Sequence, residues 1–277
     1  MAIELGKIGI WRPVSGLTGE LAAEVEGLGY GSIWIGGSPD GELKIVDTLL
    51  AATERVAVAT SIVNMWKDDA DTVAASFHRI NERFPNRFLL GVGIGHPEAT
   101  KEYRKPYDTM VDYLDRLDAA GVPKDSMTLA ALGPRVLRLA ADRTAGAHPY
   151  LTTPQHTREA RELMGPGALL APEQKVVVDT DPERARSIGR PAVKTPYLGL
   201  TNYVSNLRRL GWTDEDLAEG GSDRLIDALA LHGDARTIAA GVTAHLDAGA
   251  DHVAVQVLGP DPLPGFRALA EVLPVTR

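Results

Sequence analysis

Short apolar runs rich in β-branched residues alternate along the chain with longer stretches whose apolar residues recur every three or four positions. The first pattern suits strands buried on both faces of a parallel sheet, the second suits helices laid against it. Lys7-Ile-Gly-Ile-Trp11 reads as the first strand and Thr18 to Leu28 as its helix, with Leu21, Val25 and Leu28 on one face. Ser32-Ile-Trp-Ile35 and Leu43 to Ala52 repeat the pair, with Gly36-Gly37-Ser38-Pro39 closing the second strand. Val56 to Val63, a helix over about Ala70 to Phe84, and Phe88-Leu-Leu-Gly-Val-Gly93 make a strand, a crossover helix and a parallel strand. Asp68, Asp69 and Asp71 suit that helix's N-terminus, and Pro85 stops it.

The alternation continues with a helix from Lys105 to Ala120, a strand over Met127 to Ala131 and a helix from Pro134 to Arg143. Gly146-Ala-His-Pro149 reads as a very short strand, and Thr153-Pro154 caps the next helix. Leu169 to Val178 holds a seventh strand, best placed at Gln174 to Val178. From Asp181 to Leu231 the pattern is helical and polar without a strand. A capped helix from Asp234 to Ala248, a strand over His252 to Leu258 and a helix over Leu263 to Leu273 close the chain. Eight buried strands alternating with helices predict an α/β fold, a (β/α)8 TIM barrel, ahead of a doubly wound open sheet. The expected organisation is a single domain over 1–277, with 181–231 as a helical insertion.

Composition narrows the function. A formal charge of −8, with no basic stripe, argues against nucleic acid and anionic membranes as partners. The absence of cysteine excludes disulfides, thiol catalysis and Cys-based zinc sites. The N-terminus lacks a signal-peptide pattern and no apolar run approaches a membrane span, so a cytoplasmic location is expected.

Active sites of such barrels lie at the C-terminal ends of the strands. Those ends carry Trp11-Arg12, Gly36-Gly37-Ser38, Ser61 through Trp66, Gly95-His96, Ala131-Leu132-Gly133, His148-Pro149-Tyr150, Asp179 and Gln256. No His-x-His pair follows the first strand, so a metal cage is not expected. None of the confident ends supplies a Schiff-base lysine, and phosphate-loop and nucleophile-elbow patterns are absent. A mouth of glycine, indole and amide suits a bound redox ring, which brings its own chemistry. Gly91, Gly93 and Gly95 thin one strand at this end, either for a flat ligand or for tight packing with a turn at Gly95.

Thr60-Ser-Ile-Val-Asn64, Phe84-Pro-Asn-Arg-Phe-Leu-Leu-Gly-Val-Gly93 and Ala130-Ala-Leu-Gly-Pro134 resemble the luciferase-like monooxygenase superfamily, in particular its coenzyme F420-dependent (deazaflavin) oxidoreductases. The resemblance runs along most of the chain and weakens through 181–231. It implies a non-prolyl cis peptide at Ser61–Ile62, in a bulge against the deazaflavin ring. It also implies coenzyme phosphate binding by backbone amides of Gly95, His96, Ala131, Leu132 and Gly133, and a homodimer. Read without it, Ala131-Leu-Gly-Pro is a plain strand–helix turn. Several deazaflavin enzymes carry a proton-carrier histidine after the second strand and a glutamate after the fourth. This chain has Gly36-Gly37-Ser38 and His96-Pro97-Glu98 there, which fits a substrate other than a sugar phosphate.

The expected function is hydride transfer between F420 and a small organic substrate, with an FMN-dependent monooxygenase using O2, or a non-catalytic cofactor-binding barrel, as alternatives. Trp11 and Trp66 flank the substrate space or pack in the core, and Trp34 is assigned to the core. His148 and His96 compete as proton carriers, His148 with an unshifted pKa. Asn64 bonds the coenzyme or caps a turn, and Gly37, Ser38, Tyr150 and Gln256 complete the substrate pocket. Lys101, Arg104 and Lys105 form a basic cluster, solvated or anchoring a polyanionic tail. His78 is expected to be structural, and His156, His232 and His245 to lie on the surface.

Overall fold

The computed structural model describes residues 3–95 and 105–276. Its strands are β1 (Ile8–Pro13), β2 (Ser32–Gly36), β3 (Ala57–Ser61), β4 (Val63–Asn64), β5 (Phe88–Gly93) and β6 (Met127–Leu129), then β7 (Gly146–Ala147), β8 (Leu169–Leu170), β9 (Glu173–Val178), β10 (Ala230–Gly233) and β11 (Val253–Val257). They form one sheet in the order β10-β9-β11-β1-β2-β3-β5-β6-β7-β8, with β4 on β5. Every ladder between them is parallel. Only Ala171 and Pro172 separate β8 at one end of this path from β9 near the other, so the sheet is curled.

The helices are α1 (Gly19–Gly27), α2 (Lys44–Ala51), α3 (Ala70–Arg83), α4 (Pro106–Ala119), α5 (Pro134–Arg143) and α6 (Pro154–Met164), then α7 (Pro182–Lys194), α8 (Thr201–Arg209), α9 (Asp214–Leu217), α10 (Asp223–Leu229), α11 (Ala235–Asp247) and α12 (Leu263–Ala270). Alternation along each strand sends side chains to two different cores. Ile8, Ile10, Ile33, Ile35, Val58, Phe88 and Leu90 pack with helix residues such as Val25, Leu49, Phe77 and Leu114. Trp11, Trp34, Ala57, Ala59, Leu89, Ala171 and Ala254 form a separate cluster inside the curl. Small residues dominate this inner face, and the two indoles fill the room they leave. Trp34 is fully buried, as its assignment to the core requires.

The Pro-Asn-Arg motif has a mechanical explanation. Pro85 follows the end of α3 and Asn86 takes a left-handed turn, φ 59°. Arg87 then donates to the carbonyls of Thr53 and Val56 and to Thr53 Oγ1, tying the end of α2 to the start of β3. Glu26 completes this corner by accepting from the backbone N–H groups of Glu54, Arg55 and Val56.

Residues 182–229 are helical and build a small core of their own from Val193, Leu200, Tyr203, Leu207, Leu225, Ile226 and Leu229. Tyr150 and Leu132 pack against it. Contrary to the strandless reading of 181–231, Ala230–Gly233 is a strand, β10, paired with the second half of β9. Four residues, one of them glycine, carry too little apolar alternation to announce a strand. The acidic stretch at Asp214 is helical, and within it Asp216 is buried, closing a capping box with Thr213 and accepting from Ser222.

Candidate active site

The ladder with β5 changes register at Ile62. Ala59 pairs with Leu89, whereas Val63 pairs with Val92, so the chain advances four residues on one side against three on the other. This extra residue is a β-bulge, a device that re-aims a strand at a sheet's rim. The Ser61–Ile62 peptide within it is cis, as the family resemblance implies. The glycines of β5 make room for the bulge. A Cβ at Gly91 would lie 1.9 Å from the Thr60 carbonyl oxygen, and one at Gly93 would lie 2.9 Å from Ile62 Cγ1. Gly95 has φ +68° beside Asn64, so it serves as a turn. Asn64 Oδ1 accepts from the Trp66 N–H, which makes it the cap of its own turn over residues 64–67.

Three side chains pin the bulge from inside. Trp11 Nε1–H donates to Ser61 Oγ at 2.8 Å, and Ser61 Oγ lies 2.7 Å from His148 Nε2. His148 Nδ1 is 2.6 Å from the Ala171 carbonyl oxygen. A carbonyl only accepts, so Nδ1 carries the proton and Nε2 accepts from the serine hydroxyl. The ring also stacks on Trp34, centroids 4.2 Å apart and planes 12° apart. This corrects the reading of His148 as a proton carrier with an ordinary pKa. It is buried, with both nitrogens engaged, and burial pushes its pKa down to about 3. The sequence showed a histidine at a strand end, but not that its side chain turns into the curl.

Across the mouth, Trp11 faces the Tyr150 ring at 5.3 Å, and Tyr150 O–H donates to Gln256 Oε1 at 3.1 Å. The structure therefore brings together Trp11, Ser61, His148, Tyr150 and Gln256. It adds two residues that sequence reading missed, Glu173 and Lys175. Both are fully buried and paired at 3.2 Å, with Lys175 Nζ 3.7 Å from the Tyr150 ring centroid. Their signal was present: two charges, two residues apart, at the head of a strand whose second half is all valine. Burial raises the Glu173 carboxyl and lowers the Lys175 amine. Gly37 and Ser38 lie in a separate turn after β2, with φ 82° and 50°, where Lys67 Nζ reaches the Ser38 carbonyl oxygen and Asp40.

A second feature lies at the start of α5. Gly133 is its N-cap, Pro134 follows at the first helical position, and a Cβ on Gly133 would meet nothing within 4 Å. The Leu132 carbonyl oxygen is 2.9 Å from His156 Nε2, and Arg135 lies over the Tyr107 ring at 3.5 Å. Ala131 and Leu132 lead into this turn. His96, Lys101 and Arg104 lie outside the described residues; Lys105 is the N-cap of α4. His156 and His245 are buried rather than on the surface: His245 bridges Thr157 Oγ1 and Gln174 Oε1, at 2.7 and 2.9 Å. His232 is half-buried beside Asp227, whereas His78 is exposed and bonds the Ala120 carbonyl. Among the described residues no group of three or more His, Cys, Asp and Glu is placed to hold a metal. None of their helices is long and apolar enough to cross a membrane.

The comparisons with known proteins bear on this arrangement. The model of the luciferase-like monooxygenase family matches residues 16–121. None of the curated proteins matches the chain by sequence. Among solved structures, an F420-dependent secondary alcohol dehydrogenase in complex with an F420-acetone adduct aligns with TM-score 0.76 and 16% identity, over 98% of this chain and 99% of that one. The coenzyme F420-dependent tetrahydromethanopterin reductase from Methanopyrus kandleri aligns with TM-score 0.76 and 14% identity, over 97% and 98%. The FMN-complexed oxygenating constituent of 3,6-diketocamphane monooxygenase from Pseudomonas putida aligns with TM-score 0.66 and 16% identity, over 97% and 98%. Through residues 16–121 the chain matches the luciferase-like monooxygenase family, and over nearly its whole length it shares the fold of these oxidoreductases.

Proposed function

We propose that the chain is a coenzyme F420-dependent oxidoreductase that moves hydride between the deazaflavin and a small organic substrate. The observation that carries this reading is the bulge at Ile62, a half-buried shelf at the C-terminal rim of the sheet, held by Trp11 and His148 through Ser61. A flat ring resting on it would present one face to the space bounded by Trp11, Tyr150 and Gln256. The coenzyme supplies the hydride chemistry; the protein supplies the shelf, the substrate space and a place for the phosphate. For the phosphate we assign the amides of Ala131, Leu132 and Gly133, with Gly95 opposite. The space above Gly133 and the positive end of the ten-residue helix α5 support that assignment. Trp66 and Asn64 line the coenzyme side, and Gly37 and Ser38 the outer edge of the substrate space. With this function we read the sheet as an eight-stranded ring in a single domain, residues 181–231 as its insertion, and the protein as a homodimer.

Titration of the purified protein with oxidised deazaflavin and, separately, with FMN tests the proposal. We expect micromolar affinity for deazaflavin; FMN binding without deazaflavin binding would overturn it in favour of an oxygen-using monooxygenase. Gly133→Asp tests the phosphate assignment. Aspartate is a good helix N-cap, so folding should be preserved while like charges repel. Deazaflavin affinity should fall at least tenfold with an unchanged melting temperature; unchanged affinity would remove the assignment.

A further inference from the structure

His156 sits in the first turn of α6, fully buried, with its Nε2 2.9 Å from the Leu132 carbonyl oxygen. A carbonyl only accepts, so Nε2 carries the proton and Nδ1 is left as an acceptor, with no donor among the described residues. Burial lowers the pKa of this imidazole, so the ring is neutral. Stability alone does not favour such a placement, because the unsatisfied nitrogen costs about as much as the single bond returns. We propose that His156 is a positioning residue for the coenzyme: by holding the Leu132 carbonyl it aims the Gly133 N–H at the coenzyme phosphate. The inference rests on the deazaflavin reading and on the phosphate assignment, and adds the side chain that sets the geometry of that site.

The loop that His156 holds has unspent donors. Among the described residues the N–H groups of Ala131, Leu132 and Gly133 have no acceptor. Three such groups in a row, the first of them on a buried residue, call for water or a ligand to take them up. The Leu132–Gly133 peptide is trans, and in a planar trans peptide the C=O and N–H point opposite ways. Fixing the Leu132 carbonyl therefore fixes the direction of the Gly133 N–H. The Gly133 carbonyl in turn accepts from the N–H groups of Val136 and Leu137, at 3.1 and 3.0 Å, so this residue is held on both sides. Gly133 has φ −82°, open to any residue, and a Cβ there would meet nothing within 4 Å. Neither backbone nor packing asks for glycine at this place. Room for a ligand and a fixed donor coincide there.

The mount of His156 is itself tied down. Thr157 Oγ1, on the next residue, lies 2.7 Å from His245 Nδ1, and His245 Nε2 lies 2.9 Å from Gln174 Oε1, so α6 is anchored to β9. The Leu132 side chain packs against the small core of residues 182–229. The peptide that carries the Gly133 N–H is thus gripped from α5, α6 and the helices beyond β9, which leaves its donor little freedom to reorient.

The experiment titrates wild type, His156→Leu and His156→Gln with two ligands: the intact deazaflavin coenzyme, and the phosphate-free deazaflavin that ends at its ribityl chain. Leucine cannot donate, whereas glutamine offers an NH2 at a reach close to that of Nε2. Wild type should bind the intact coenzyme more tightly than the phosphate-free form. His156→Leu should weaken the intact coenzyme about tenfold and leave the phosphate-free form unchanged, and His156→Gln should recover to within about threefold of wild type. Wild-type affinity for the coenzyme in His156→Leu, or an equal loss for both ligands, would overturn the role of His156 and leave the coenzyme reading standing. Equal affinity of wild type for the two ligands would overturn the phosphate assignment and this proposal with it. Failure of wild type to bind either deazaflavin would overturn the coenzyme reading as well. Should His156→Leu fold poorly, nuclear magnetic resonance of isotope-labelled wild type decides. The Gly133 amide and the His156 Nε2–H should both shift with the intact coenzyme and not with the phosphate-free form, because they act on one peptide. A His156 Nε2–H that ignores the phosphate would overturn the proposal.

Discussion

Burial holds the imidazoles of His148 and His245 down to about 3 and that of His252 to about 4, against an ordinary value near 6.5. The native protein therefore keeps these rings neutral at acidities where the unfolded chain protonates them. More protons bound by the unfolded state means that stability rises with pH across this window, is complete above about 6.5 and is lost as pH falls towards 4. Each ring should withdraw roughly 2 kcal/mol by pH 5, before other groups contribute. Urea unfolding followed by tryptophan fluorescence should show a clearly lower midpoint at pH 5 than at pH 7. Trp34 stacks on one of these rings and donates to another, so it reports the inner core directly. Equal midpoints would mean that the histidines are not neutral and buried. Ser61→Ala tests the same interior at one hydroxyl. It leaves the Trp11 N–H and His148 Nε2 without their partner, so it should cost about 1–3 kcal/mol in the same assay and weaken deazaflavin binding.

At the scale of elements the bulge and β5 act as one unit. Gly91→Ala would set a methyl 1.9 Å from the Thr60 carbonyl oxygen, a backbone atom that cannot swing aside. The variant should either unfold or shift the ladder, destabilising by several kcal/mol, more than a propensity change of about 1 kcal/mol would cause. Thermal melting distinguishes these magnitudes. This dependence shows what the sequence could and could not disclose. The alternation of apolar runs placed β1, β2, β5 and β11 to within a residue or two, because each is long enough for burial to impose a pattern. The glycine run announced that something approached β5 closely, but its spacing could not say whether that was a ligand or Thr60. Both parts of the answer lie in contacts between strands. The Pro-Asn-Arg motif that helped to carry the resemblance sits at the opposite end of β5, where Arg87 ties down a corner. A recognisable motif thus located the fold and left the chemistry unplaced. Glu173 and Lys175 escaped notice because the strand was placed from Gln174, leaving Glu173 outside it, although the two charges stand two residues apart and so face the same way.

For the whole molecule the question is how the helical excursion over 182–229 relates to the sheet it leaves and rejoins. Its core of Val193, Tyr203, Leu207, Leu225 and Ile226 is distinct from the cores on either face of the sheet. The join runs along β9 and β10, where α7 and α10 pack, and through Tyr150, which packs with this cluster on one side and with Trp11 and the inner core on the other. A unit with a core of its own can open without unfolding its neighbour. Leu207→Ala removes a fully buried side chain from the excursion and should cost about 2–5 kcal/mol there. Amide hydrogen exchange should then accelerate through α7, α8 and α10 while β1, β2 and β5 keep their protection. Tyr150 loses one of its two walls in this variant, so the Trp11–Tyr150 contact should loosen while the Trp11–Ser61–His148 contacts on the far side hold. Uniform acceleration across sheet and excursion would instead show a single cooperative unit, and the wall of Tyr150 would then be as rigid as the shelf opposite it.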